Sequence, residues 1–315
     1  MSRHTFLSAL GVAASLIGLY LLYRVIRRYD MDEIMTALSS VPASKIALAL
    51  TFTVLGYVFL IGAEYLAVRY TRQPVTFNRV ARTAVAALGI GHSIGLAALS
   101  SGAVRYRMYG RAGLSLPDIG RLVLFSGVTV ALGLGIVGSS ALFWHSEELA
   151  RLTGASPAML TGLGAGALVL VVVYLVICAI GLRRLKIRRF HLDIPSFRMA
   201  CGQLLFGSGY LLCVSAVLYA SLRSFTKADY PTVAALYVGA DMSALVGHVP
   251  GGWGLIEYIV TSALDGPQLL AGLIIFRASY YLLPLAVGLG IFVLDEVSGR
   301  RGPRRAMRSA TASRH

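Results

Sequence analysis

Charged and hydrogen-bonding side chains interrupt stretches of this sequence that are otherwise apolar. Residues 247–258 read GHVPGGWGLIEY, so His248 and Glu257 stand beside a proline and four glycines. Asp241 and Arg277 lie in the apolar stretches before and after this segment. A charge in apolar surroundings is costly unless a partner or water meets it. These residues therefore predict either ion pairs inside the protein or a polar path for a charged ligand.

The glycines Gly251, Gly252 and Gly254 favour a turn over a helix, and the proline removes a backbone donor. A half-helix is expected to begin just after this turn, over residues 254–265. Its first N–H groups carry partial positive charge and can receive a phosphate or a carboxylate. Neighbouring protein can cap the same groups, and the sequence leaves both alternatives open.

A similar pattern occurs earlier in the chain. Residues 89–95 read GIGHSIG, and GAVRY at 102–106 parallels GLIEY at 254–258, with an arginine in place of the glutamate. The matches follow the same order in both places, which predicts two related halves. Arg105 and Glu257 therefore occupy matching positions, and they are expected either to pair with each other or to line a polar path together.

Further ion pairs are expected within these apolar regions. Glu64 lies close in sequence to Arg69, and a simple ion pair between them is the favoured interpretation. Asp241 and Arg277 are expected to face the protein interior, where they contact each other or Glu257.

Two histidines, His92 and His248, mark the two glycine-containing breaks. Each can exchange a proton near neutral pH, or it can cap a backbone carbonyl. The capping role is the favoured interpretation for both.

The sequence contains no recognisable catalytic signature. A P-loop, an HExxH motif, a GxSxG motif and a paired-cysteine metal motif do not occur in it. We therefore expect no enzymatic activity, no metal and no cofactor, and an ATP-driven pump is not favoured.

The composition is that of a polytopic membrane protein. The 315 residues are 57% hydrophobic and only 14% charged, whereas a soluble domain has about 25% charged residues. A net charge of +15 would suggest nucleic acid in a soluble chain. Here the basic residues fall largely between apolar runs, as in cytoplasmic loops that face anionic lipid, so nucleic acid is not an expected partner.

The apolar runs predict an all-α fold with about six full membrane spans. These spans are expected at 6–26, 46–68, 118–144, 160–181, 200–222 and 268–294. A short amphipathic helix at the membrane surface is expected at 29–42. Two interrupted regions remain, 83–104 and 232–264, and each is expected to be a re-entrant hairpin.

Loop charges orient this arrangement. The basic loop around residues 183–189 and the basic tail 299–315 are expected to be cytoplasmic, and the acidic loop 145–151 is expected to face outward. The two hairpins then enter from opposite sides, and both termini lie inside. The chain is expected to form one transmembrane domain over 1–298, with inverted repeat halves at about 1–155 and 156–298.

Three segments, LSSGAVRYRMYGRAGLS, GHVPGGWGLIE and FRASYYLLPLAVG, resemble motifs of a known family. It is the flippase-like transmembrane domain of bacterial lysylphosphatidylglycerol synthase/flippases, and the resemblance extends over roughly residues 5–295. It implies location in the bacterial inner membrane and movement of a phospholipid, such as an aminoacylated phosphatidylglycerol, between leaflets. The positions that match the family's polar and glycine-rich motifs are Arg105, Arg107, Gly251, Gly252, Gly254, Glu257 and Arg277. Asp241 and His248 join them as candidate lipid contacts.

The sequence after the last span holds no aminoacyltransferase domain, so the chain resembles the stand-alone relatives of the two-function proteins. The expected partners are a membrane lipid with a polar or charged headgroup and anionic lipids at the cytoplasmic face. A homo-oligomer stays open. Two alternatives to transport also stay open: a non-transporting partner of a separate lipid-modifying synthase, and a membrane enzyme that acts on lipid headgroups.

Overall fold

The computed structural model describes most of the chain beyond residue 30. The described residues are 31–94, 97–181, 184–187, 190–246, 252, 254–264 and 269–312. The predicted first span at 6–26 lies outside them, as do His248 and Gly251.

The described residues form twelve α-helices, one π-helical turn and one short β-hairpin. The helices are α1 Met31–Ser40, α2 Ala43–Tyr70, α3 Phe77–Ile94, α4 Ala97–Gly110, α5 Leu116–Trp144, α6 Ser146–Thr153, α7 Pro157–Ile180, α8 Phe197–Leu222, α9 Tyr230–Val246, α10 Leu255–Ala263, α11 Leu269–Arg277 and α12 Leu283–Ala312. The π-helical turn Ala278–Leu282 joins α11 to α12, and the antiparallel strands are β1 Arg184–Ile187 and β2 Phe190–Asp193.

Five helical segments of the described chain are long and apolar enough to cross a membrane. They are Ala43–Tyr70, Leu116–Trp144, Pro157–Ile180, Phe197–Leu222 and Leu269–Ser298. Each overlaps one of the five predicted spans that fall on described residues, and the predicted all-α polytopic class is confirmed. The β-hairpin is a local departure from it, in the basic loop that the sequence left without structure.

Helix α8 lies at the centre of the bundle and contacts α2, α5, α9 and α11. A Cβ atom at Gly207 of α8 would lie 2.3 Å from the carbonyl oxygen of Thr129, and one at Gly133 of α5 would lie 2.5 Å from the carbonyl carbon of Gly207. The two backbones therefore touch, as small residues allow in membrane bundles. This contact fixes the crossing of two predicted spans.

The first interrupted region folds back on itself. Helices α3 and α4 contact each other, and Val80 at the start of α3 shares one buried cluster with Tyr109 at the end of α4. The second region also divides into two helices in mutual contact, α9 and α10. The break in the second region falls at the predicted proline–glycine turn, because α10 begins directly after Gly254.

The ends of the helices separate into two groups, which we call the basic end and the far end. At the basic end α2 finishes beside the start of α5, where the Gln73 side chain donates a hydrogen bond of 3.1 Å to Asp118. At the far end α5 finishes beside a cavity of about 620 Å³ that is lined by His145 and also by Ser262 and Ala263 of α10. The first region begins and ends near the basic end, and the second region ends at the far end.

Candidate functional site

The π-helical turn Ala278–Leu282 lies between the inner ends of the two interrupted regions. Its carbonyl groups accept hydrogen bonds from two other helices: Thr53 of α2 donates to Ser279 at 3.4 Å, and Ser93 of α3 donates to Tyr281 at 3.4 Å. A π-helical turn disturbs the regular hydrogen-bond ladder, and such turns are frequent at functional sites. Since Ser93 lies in the last turn of α3, the inner end of the first region rests on this turn.

The second region meets the same turn through an ion pair. The Arg277 guanidinium donates to both carboxylate oxygens of Glu257, from Nε at 2.8 Å and from Nη2 at 3.0 Å. Nη2 also donates to the Gly252 carbonyl at 3.0 Å, and the guanidinium lies 4.6 Å from the centre of the Tyr281 ring. The Arg277 side chain is 1% exposed, whereas that of Glu257 is 17% exposed. Only the carboxylate side of this pair is therefore open to a ligand.

The glycines at the break are required by the backbone. Gly252 and Gly254 have φ angles of +60° and +79°, a region that side chains rarely adopt. The N–H group of Gly254 donates to Glu257 Oε2 at 2.9 Å, so the carboxylate caps its own helix. The predicted half-helix is confirmed, but part of the N-terminal capacity for an anion is already used by Glu257.

A second buried ion pair ties the first region to α2. The Arg105 guanidinium donates to Glu64 from Nε at 2.9 Å and from Nη2 at 2.7 Å. Arg105 also donates to Ser101 at 2.9 Å, and the Tyr109 hydroxyl donates to Glu64 at 3.1 Å. The two charged side chains are 3% and 1% exposed. This pair is closed to ligands, and its geometry is that of a structural clamp.

These contacts correct two of the expected ion pairs. The direct pairing of Arg105 with Glu257 is wrong, because each forms a two-bond ion pair with a different residue. The pairing of Glu64 with Arg69 is also wrong, since Arg69 instead lies over the Tyr65 ring at 5.8 Å. The expected contact between Arg277 and Glu257 is confirmed.

Asp241 and His92 remain without a hydrogen bond or an ion pair among the residues that the structure describes. Asp241 was expected to contact Arg277 or Glu257, and it contacts neither through such a bond. The Nδ1 atom of His92 is buried and unpaired, so the expected capping role does not hold within the described chain. The His92 ring instead stacks on two tyrosines, with centroid distances of 5.9 Å to Tyr210 and 6.2 Å to Tyr280.

Arg107 lies away from the inner ends of the hairpins, at the basic end. It donates two hydrogen bonds to Glu296 of α12, at 3.0 Å and 2.7 Å. Arg79 and Arg111 join this cluster through Asp295, and Arg111 also pairs with Glu296. We call these five residues the basic-end cluster; it fastens both ends of the first region to the last span.

Several site residues were not predicted from sequence. Glu64 is expected to pair with Arg69, Tyr210 is not predicted, and the segment FRASYYLLPLAVG is noted only as a family motif, without its π-helical geometry. The signal for Glu64 is its position in an apolar run, but Arg69 lies close in sequence and offers a simpler partner. The tyrosines carry no separate signal, because tyrosines are common in membrane spans near the lipid interface.

Comparison with known proteins shows the family to which the chain belongs. The chain is similar to the uncharacterized protein slr0712 of Synechocystis sp., with 23% identity over 91% of both chains. It is also similar to inner membrane protein YbhN of Escherichia coli, with 27% identity over 63% of this chain and 64% of YbhN. A family model described as "Lysylphosphatidylglycerol synthase TM region" matches residues 9–288. The chain is a multi-pass membrane protein that belongs to the lysylphosphatidylglycerol synthase transmembrane-region family.

Proposed function

We propose that this protein moves a phospholipid, such as an aminoacylated phosphatidylglycerol, between the leaflets of the bacterial inner membrane. One observation carries the proposal: two interrupted helical regions, anchored at different ends of the bundle, both contact one π-helical turn. The charged residues Arg277 and Glu257 lie beside that turn. A polar headgroup cannot cross hydrocarbon easily, and irregular backbone at membrane depth is tolerated where it is buried or lines a wet cavity. Paired broken helices near the midplane are a recurrent plan among transporters.

The orientation follows from the distribution of charge. Basic residues near the basic end include Arg69, Arg72, Arg79, Arg82, Arg107, Arg111, Arg121, Arg184, Lys186 and Arg198. Cytoplasmic loops carry such an excess, so the basic end is assigned to the cytoplasm. The first region then enters from the cytoplasm as a re-entrant hairpin, the second enters from outside, and both termini are cytoplasmic. Similarity to YbhN, an inner membrane protein, supports location in the inner membrane.

The Arg277–Glu257 pair is the best-placed contact for a headgroup. Its carboxylate is partly exposed, and both residues lie beside the turn in which Gly252 and Gly254 have positive φ angles. A cationic headgroup would compete with Arg277 for the exposed carboxylate of Glu257, and the guanidinium released in that exchange would then be available to a lipid phosphate. Exchange between these pairings gives the lipid headgroup a polar binding site within the membrane. Movement of one hairpin against the other would open this site to each leaflet in turn.

Purified protein in liposomes tests this proposal. Headgroup-labelled phosphatidylglycerol, lysyl-phosphatidylglycerol and a neutral lipid are followed between leaflets, with mass spectrometry to show that the lipids remain chemically unchanged. Glu257→Gln and Arg277→Ala should slow the transported lipid at least about tenfold, equivalent to about 1.4 kcal/mol of barrier. Glu147→Gln, which removes an exposed carboxylate at the far end, is the matched control. Wild type that moves no lipid faster than empty liposomes, even with a proton gradient, would contradict the proposal.

A further inference from the structure

A cluster of tyrosines fills the space between the two interrupted regions. Tyr210 of α8 and Tyr280 of the π-helical turn form a buried hydrogen bond of 2.6 Å between their hydroxyl groups. Tyr57 of α2 is within electrostatic reach of both, and its buried hydroxyl has no hydrogen-bond partner in the described part of the chain. Tyr237 and Tyr281 complete this group, which we call the tyrosine cluster.

One titratable side chain from each interrupted region faces the tyrosine cluster. His92 of the first region stacks on Tyr210 and Tyr280. Asp241 of the second region lies one turn of α9 after Tyr237, which belongs to this cluster, and its carboxylate also interacts electrostatically with Tyr210 and Tyr281. Neither forms a hydrogen bond or an ion pair with another described residue. The Nδ1 atom of His92 is buried, and buried polar atoms are nearly always paired. Tyr210 is the neighbour that they share.

The other charged groups in the neighbourhood are already engaged. On the side of His92, the charged group that interacts with it electrostatically is Arg105 of α4, which is held by Glu64. On the side of Asp241, Tyr281 lies next to Arg277 and Glu257, which hold each other. Helix α5 has no titratable side chain between residues 122 and 144, and Tyr258, the other titratable group of α10, is mostly exposed.

We propose that Asp241 is the proton-binding group that couples lipid movement to a proton gradient, with the tyrosine cluster and His92 as the path between the two sides. This inference rests on the proposed transport function and names its energy source. Asp241 accepts a proton in one conformation and releases it in the other; only O–H bonds and, at His92, N–H bonds form or break, and each proton that is received is passed on. Tyrosine hydroxyls both donate and accept hydrogen bonds, and neutral His92 has one donor and one acceptor nitrogen, so the path needs no ion other than the proton.

An imposed pH gradient tests the coupling in the liposome assay. Coupling of one proton to one lipid predicts that a gradient of one pH unit biases the labelled lipid about tenfold toward one leaflet. Reversal of the gradient should reverse the bias, and a sodium gradient at equal pH should produce none. A pH dye in the lumen should record proton movement when labelled lipid is added to one side.

Variants of Asp241 separate coupling from simple damage. Asp241→Asn has nearly the same shape but cannot titrate, and it should abolish the tenfold bias, whereas Asp241→Glu should retain at least part of it. The matched control is Asp229→Asn at the exposed position just before the same helix, where asparagine can still accept the hydrogen bond from the Thr232 N–H group. This control should keep the full bias.

The outcomes distinguish the two claims. Wild type that moves lipid equally well with and without a pH gradient would overturn the coupling and leave the transport function standing. A bias that persists in Asp241→Asn would also overturn the coupling through this residue. Wild type that moves no lipid under any gradient would overturn both.

Discussion

Removal of one member of the Arg105–Glu64 pair should destabilise the protein strongly. Both side chains are almost fully buried, at 3% and 1% exposed. Glu64→Gln leaves the guanidinium with one amide oxygen where it had two charged acceptors. An unpaired buried charge of this kind costs about 3–5 kcal/mol. With a shift of about 2 °C per kcal/mol for a chain of this size, the Tm should fall by roughly 6–10 °C.

A double-mutant cycle measures the pairing directly. Glu64→Gln, Arg105→Met and the double variant are compared by thermal unfolding in one detergent. Because the double variant leaves no unpaired charge, it should be more stable than the sum of the single losses predicts, by about 2 kcal/mol or more. The parallel cycle of Arg105 with Glu257 should be additive within about 0.5 kcal/mol. A Glu64→Gln Tm within 1 °C of wild type, or an additive Arg105–Glu64 cycle, would refute this reasoning.

Two further outcomes follow from the packing. Gly207→Ala should lower the free energy of unfolding by about 1–3 kcal/mol, because its Cβ would lie 2.3 Å from the Thr129 carbonyl oxygen. Gly127→Ala, with open space around it, should be neutral or slightly stabilising. Equal losses of stability for the two variants in urea or thermal unfolding would contradict the backbone contact. The double variant Asp295→Asn, Glu296→Gln should break the ion pairs of the basic-end cluster. Maleimide labelling of a cysteine that replaces the buried Met108 should then become several-fold faster. An unchanged labelling rate would show that the cluster does not hold this end closed.

The spans were predictable because each is a long apolar run, and such runs have few alternatives to a membrane helix. The start of α10 was also predictable, since proline and glycine act locally on the backbone: Gly252 and Gly254 have the positive φ angles that their residue type permits. Local chemistry therefore determined the breaks in the chain as well as its spans.

The ion pairs were less predictable, because their partners lie far apart in the chain. Arg69 is close to Glu64 in sequence, but Arg105 reaches it only after α3 and α4 fold back. The similarity between the surroundings of Arg105 and Glu257 was interpreted as contact. Two positions related by a two-fold axis contact each other only if they lie close to that axis. A sequence match between two halves of a chain therefore predicts similar surroundings for the matched residues, and not a bond between them.

The π-helical turn and the β-hairpin had no usable local signal. Residues 278–282 read ASYYL and continue the apolar pattern of the span around them. Their π geometry accompanies hydrogen bonds from Thr53 and Ser93, which belong to other helices. The strands at 184–187 and 190–193 are short, and the basic residues of this loop predict only its orientation.

The entry of the two hairpins from opposite faces is the central claim, and cysteine accessibility tests it most directly. Single cysteines at positions 78 and 112 flank the first hairpin, and those at 228 and 264 flank the second. In inside-out and right-side-out vesicles, an impermeant maleimide should label the first two only from the cytoplasmic face and the last two only from the outer face. Labelling of the two flanks of either hairpin from opposite faces would contradict the account.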